Sequence, residues 1–183
     1  MRTAVWTAAA MALVCATATS AMAQPSERTA AAAKAFVDLM TPKGEGYAPR
    51  YMAAADPDND ERFLAAMLIP GVQLLIVDAK YQVPVLLRER LLTGKYQEAY
   101  LDLSTATSVK DRLTIEDVLS DGLAYKPAKG VAAGDVVIRG GETVTFNGEW
   151  RKQKLTEQAY KEAFAAAEED YVRILSILVE QAR

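Results

Sequence analysis

The sequence predicts a single α+β domain, with a mixed β-sheet of about five strands, N-terminal helices and a long C-terminal helix packed on the sheet. Three observations lead to this class. Apolar residues recur at helical spacing near both ends of the chain beyond residue 23. Between them lie short runs that are either wholly apolar or alternate with polar residues, and turn signals such as Gly140-Gly141 separate these runs.

Residues 1–23 have the organisation of a secretory signal peptide. Arg2 precedes a mostly apolar run from Ala4 to Val14, and Ala21-Met22-Ala23 supplies the small residues that signal peptidase requires. The apolar run is too short to remain as a membrane span. We therefore expect cleavage after Ala23, a periplasmic or secreted location, and one mature domain over residues 24–183.

Composition removes several kinds of chemistry. The chain has no histidine, and its one cysteine, Cys15, lies in the leader. Catalytic triads, Cys-His dyads, His-bearing zinc sites, haem and iron–sulfur clusters therefore lack their ligands, and we expect no metal and no cofactor. Lipid attachment at Cys15 is the alternative to plain cleavage; Val14 disfavours it, because a lipoprotein signal has a small residue there.

The charge balance bounds the partners. The chain has 21 basic and 24 acidic residues, a formal net charge of −3. It has no basic stripe, so nucleic acid is not an expected partner. No later apolar run approaches the length of a membrane span, so we expect no transmembrane segment in the mature chain.

The first elements are predicted to be helical. Ser26 is the expected cap of a helix that runs to about Met40 and has an apolar face. A loop over residues 42–58 and a short helix over residues 59–68 follow, the latter because Asp58 and Glu61 have the capping-box spacing.

Residues 72–104 predict a βαβ crossover. Val72–Val77 is nearly all apolar, as in a strand buried on both faces. Pro84 is suited to begin a helix and Gly94 to end it. Apolar and polar residues alternate over residues 99–104, which indicates a second strand, parallel to the first.

Further strands are predicted at residues 112–118, 135–139 and 142–146, with a long, mobile loop over residues 119–134. The last element is a helix over residues 156–182, with Thr156 as its expected cap. Its apolar seam consists of Tyr160, Phe164, Ala167, Tyr171, Ile174 and Leu178. This seam predicts either packing on the protein's own sheet or a homodimer through the 156–182 helix.

The best motivated ligand site lies at the carboxyl ends of the two predicted parallel strands. There a helix N-terminus and a lysine would favour an anion. An ordinary solvated loop is the alternative. The predicted site consists of Asp78, Lys80, Tyr81, Ser104, Thr105 and Thr107.

Two acidic groups are weaker candidates. Asp56, Asp58 and Asp60 match the start of a calcium loop, but Glu61 stands where that loop needs glycine, so a solvated turn is favoured. Glu116 and Asp117 are adjacent on a strand and point to opposite faces, which argues against a catalytic pair.

These observations favour a secreted or periplasmic protein that acts by binding, as an envelope accessory or carrier component. Its partner would be a small-molecule ligand or an envelope protein. Two alternatives stay open: a hydrolase or isomerase that uses carboxylate, Tyr or Lys acid–base groups, and a carrier of an apolar, lipid-like ligand.

Overall fold

The computed structural model describes residues 24–41, 50–69, 73–80 and 112–182. It confirms an α+β domain in which a long C-terminal helix packs on a β-sheet. In chain order the elements are α1 (Glu27–Met40), β1 (Arg50–Asp56), β2 (Asn59–Ile69), β3 (Gln73–Lys80), β4 (Arg112–Asp117), β5 (Asp135–Arg139), β6 (Glu142–Phe146) and α2 (Glu157–Gln181).

The described strands form one six-stranded sheet in the order β1-β2-β3-β4-β5-β6. Every neighbouring pair is antiparallel, so this part of the sheet is a meander and not the mixed sheet that the sequence predicts. Strand β3 pairs with β2 along one edge and with β4 along the other. The partner strand of the predicted crossover therefore cannot pair directly with β3, and residues 84–104 lie outside the described ranges.

The prediction for residues 50–68 was wrong, because they form two strands and not a loop and a helix. Alanine, leucine and glutamate favour helices locally, but pairing on both sides of β2 outweighs that preference. The acidic turn closes a hairpin and does not cap a helix: the Asp56 carboxylate accepts a hydrogen bond from the backbone N–H of Asp58 at 3.0 Å.

Both described helices lie on one side of the sheet. Helix α2 packs on β1, β2, β3 and β6, and α1 packs against α2. Alternation along the strands directs one set of side chains into this layer. Its buried members include Met52, Ala54, Leu64, Ala66, Leu74, Ile76, Ile115, Val137 and Phe146.

The predicted helix caps and the seam are present. Ser26 accepts a hydrogen bond from the N–H of Thr29, and Thr156 accepts one from the N–H of Ala159. Five of the six seam residues are fully buried, and Phe164 is half-buried. The seam therefore packs on the protein's own sheet.

The central strand is buried on both faces, as its apolar run predicts. Leu74 and Ile76 point toward the helices. Val77 and Ala79 alternate with them on the opposite face and are also buried. No helix in the described part of the chain is long and apolar enough to cross a membrane.

Ile174 tests the packing of the seam. Ile174→Ala should lower the free energy of unfolding by about 2–5 kcal/mol, since the side chain is fully buried and its truncation leaves a cavity. Chemical denaturation at two protein concentrations should give the same loss. Ser176→Ala, on the exposed side of α2, is the matched control and should change little; a loss that depends on concentration would contradict packing within one chain.

Candidate functional site

Asp78 of the predicted ligand site lies under α2 and forms ion pairs there. Its side chain is about 7% exposed. One carboxylate oxygen accepts from Nε of Arg62 at 2.6 Å, and the other accepts from Nη2 of Arg173 at 2.6 Å. Both oxygens of this carboxylate are therefore paired with guanidinium groups. The ion pairs connect β3 to β2 and to α2.

Arg173 extends this network to the β1 end of the sheet. Its Nη1 donates to the buried carboxylate of Asp56 at 3.0 Å. Burial disfavours the charge on Arg173, but the attraction of Asp78 and Asp56 outweighs it and raises the pKa of the guanidinium. Removing Arg173 would take a cation from both buried carboxylates at once, so the network is a structural clamp.

Of the other predicted site residues, the structure describes Lys80 alone. Lys80 is exposed at the end of β3. Tyr81, Ser104, Thr105 and Thr107 lie outside the described residues, and the site they would form stays a prediction.

A second buried carboxylate, Asp117, lies at the end of β4. It is fully buried and accepts a hydrogen bond from the hydroxyl of Tyr171 at 2.6 Å. The backbone N–H groups of Asp121 and Gly122 also donate to it, at 3.4 and 2.9 Å. Burial, together with the neighbouring charge of Asp117, raises the pKa of Tyr171, which keeps the hydroxyl protonated as the donor.

Asp135 holds the other end of the same loop. Its two oxygens accept from the backbone N–H groups of Val118 at 3.1 Å and Ala124 at 2.8 Å. Burial raises the pKa of Asp135 to about 6, although these two hydrogen bonds oppose the shift. Burial and the charge of Asp117 also raise the pKa of Asp121.

The first part of the loop is pinned against α1, where the sequence predicts a mobile segment. The N–H of Leu123 donates to the hydroxyl of Thr29 at 3.0 Å. Gly122 has φ +108°, and a Cβ on it would lie 2.5 Å from the backbone nitrogen of Ala30. Only glycine allows this close approach of loop and helix.

A shallow groove, open to solvent, lies between this loop and the start of α1. Small apolar side chains form most of its surface, and the carboxylates of Asp121 and Asp135 supply its charge. It is lined by Pro25, Leu119, Asp121, Ala124, Pro127, Ala128, Val131, Ala133, Gly134 and Asp135. The groove therefore offers hydrogen-bond acceptors and negative charge beside an apolar surface.

Two further features of this region are the adjacent acidic pair on β4 and the half-buried indole-bearing residue Trp150. Glu116 and Asp117 lie on opposite faces of β4, and only Asp117 reaches the core. Trp150 is half-buried and packs against Tyr160, with ring centroids 6.1 Å apart. Among the described residues, no three acidic side chains are grouped so that they could hold a metal ion.

The chain matches no family model, no curated protein and no solved structure.

Sequence reasoning missed the role of Asp117 and Asp135, although one signal pointed to Asp117. Leu113, Ile115 and Asp117 follow one another at every second position, so the carboxylate occupies a core-facing place in an apolar alternation. A carboxylate at such a place requires hydrogen-bond donors. The identity of the donor, Tyr171, depends on how α2 crosses the sheet, which local patterns do not give.

Tyr171→Phe should destabilise the domain by about 1.5–3 kcal/mol, because the substitution removes a hydrogen bond to a buried carboxylate. Urea unfolding measures the change. The matched control is Tyr125→Phe, since the hydroxyl of Tyr125 is buried without a hydrogen-bond partner. That control should be neutral or stabilising, and equal losses in the two variants would contradict the role assigned to Asp117.

Asp135 should make the domain more stable as the pH falls from about 7.5 to about 5. Its native pKa, about 6, lies above the ordinary value of 3.8, so the folded state takes up the proton first. The stabilisation that comes from protonating Asp135 is fully present below the ordinary pKa of 3.8 and is lost as the pH rises through about 6. Between about pH 7.5 and about pH 5 this stabilisation changes by roughly 1 kcal/mol.

The measurement is urea unfolding at both pH values for the wild type and for Asp135→Asn, which does not titrate. The difference between the two pH profiles isolates Asp135 from the other carboxylates. Parallel profiles would contradict the raised pKa.

Proposed function

We propose that this chain is an exported protein of the bacterial envelope that acts by binding, and that the groove beside Asp135 receives the ligand. The observation that carries this proposal is the groove itself. It combines apolar walls with the exposed carboxylate of Asp121 and, beneath it, the buried carboxylate of Asp135. The groove is shallow, so it suits a single small group, such as an amine or the end of one side chain of a partner.

The lining favours a ligand of particular chemistry. Asp121 is exposed, so its carboxylate can accept hydrogen bonds from a ligand. Near pH 7 the carboxylate of Asp135 is mostly ionised, since its pKa is about 6. A group that donates hydrogen bonds and is positively charged, such as an amine on a short apolar stem, therefore fits better than an anion.

Binding is favoured over catalysis by the way in which the buried carboxylates are used. Both oxygens of Asp135 accept from the backbone. Asp117 accepts from Tyr171 and from two backbone N–H groups, and Asp78 pairs with two arginines. A general acid or base needs a carboxyl that can reach the substrate, and these groups already hold the fold.

Native mass spectrometry of the protein purified from an envelope fraction tests the proposal. We expect a co-purifying small ligand, with loss of most of the bound fraction in Asp121→Asn, because this substitution removes a charge from the groove. Glu142→Gln removes the same charge from an exposed position at the start of β6, outside the groove lining, and should retain the ligand.

Other outcomes of this experiment are also informative. A bound lipid that persists in Asp121→Asn would favour the apolar carrier. A dimeric mass would support the homodimer. A ligand-free monomer in the wild type, unchanged on titration with small amines, would overturn the groove as a binding site.

The exported location rests on the leader and has its own test. Intact mass should show a mature chain that begins at Gln24 and lacks Cys15. Ala23→Leu should block processing, because signal peptidase requires a small residue before the cut. Met22→Ala changes the tolerant position between the two small residues and should be processed normally. A wild-type mass that retains Cys15 with an attached lipid would contradict cleavage after Ala23.

A further inference from the structure

A group of exposed cations lies at the end of the domain where α2 begins. Lys126 and Lys129 belong to the loop between β4 and β5, and Arg151 and Lys154 belong to the turn before α2. In the described part of the chain, none of these four side chains forms an ion pair. We call these four residues the basic tip.

The loop and the turn are held together by Tyr160. Its hydroxyl donates to the carbonyl oxygen of Tyr125 at 2.9 Å and accepts from the N–H of Gly148 at 2.9 Å. A Cβ on Gly148 would lie 3.5 Å from Cβ of Lys126, so the two segments are in contact. Lys126 therefore lies beside the segment that leads into the turn with Arg151 and Lys154.

The turn itself has a defined shape. The N–H groups of Lys154 and Leu155 donate to the carbonyl oxygens of Arg151 and Trp150 at 3.1 and 2.9 Å. The side chain of Gln153 donates to the carbonyl oxygen of Thr145 and accepts from its N–H, both at 2.8 Å. The turn thus presents its cations from a fixed backbone, and little ordering is needed when they bind.

The neighbouring carboxylates do not neutralise the basic tip. Glu149 pairs with Lys152 at 2.6 Å, and Glu157 pairs with Lys161 at 2.7 Å. Each of these pairs is internally balanced. The four remaining cations give this end a positive charge on a chain whose formal net charge is −3.

We propose that the basic tip docks the protein on a bilayer that contains anionic phospholipid. Lysine and arginine near an anionic bilayer each contribute electrostatic attraction over about a Debye length. Trp150 lies between Glu149 and Arg151 in the chain and is half-buried. Indole rings favour the headgroup level of a bilayer, which favours lipid over a soluble anionic polymer as the partner.

Sedimentation with vesicles of phosphatidylglycerol and phosphatidylcholine, compared with pure phosphatidylcholine, tests the proposal. The wild type should bind the anionic vesicles, and added salt should weaken binding. Each lost cation should reduce affinity about five-fold, so Lys126→Gln/Arg151→Gln/Lys154→Gln should bind on the order of a hundred-fold more weakly.

The matched control removes the same charge elsewhere. Arg28→Gln/Lys34→Gln/Arg139→Gln replaces three cations that pair with carboxylates outside the basic tip. Circular dichroism checks that all variants fold, and all are purified with the same N-terminus, so any binding by the leader is common to them. Binding of the control should stay within a few-fold of the wild type.

Three outcomes would overturn the proposal. The first is equal binding to neutral and anionic vesicles, or binding to neither. The second is an equal loss in the control and the basic-tip variant, which would indicate net charge alone. The third is binding to soluble polyphosphate without binding to vesicles. None of these outcomes depends on whether the groove beside Asp135 holds a ligand.

Discussion

The hydrogen bond between Tyr171 and Asp117 is the contact on which the rest of the described structure depends. A fully buried carboxylate is costly without donors, and Asp117 has three, one from α2 and two from the backbone of its own loop. The same oxygens therefore fix where the helix crosses β4 and how the chain leaves that strand. Moving either element would leave a buried charge without its partners.

Arg173 repeats this arrangement at the other end of the sheet. It lies two residues beyond Tyr171 on α2 and reaches Asp56 and Asp78, whereas Tyr171 reaches β4. Hydrogen bonds and ion pairs are directional, so these two polar contacts together select one placement of the helix over the sheet.

Both proposed interaction surfaces depend on this framework. Asp117 and Asp135 hold the loop after β4, and the groove lies against that loop. The later part of the same loop carries Lys126 and Lys129 to the turn before α2, where Tyr160 joins the two segments. The buried hydrogen bonds thus hold the irregular loop between β4 and β5, which contributes to both the acidic groove and the basic tip.

The sequence by itself determined the helix caps at Ser26 and Thr156, the hairpin at Gly140-Gly141 and the burial of the α2 seam, because caps, turns and periodicity are local. Only the tertiary structure decided that residues 59–69 are a strand, because strand pairing overrides the helix preference of their side chains. It also decided that Asp78 faces arginines and that the groove forms beside Asp135. Those partners are distant in sequence, and the path of the chain alone brings them together.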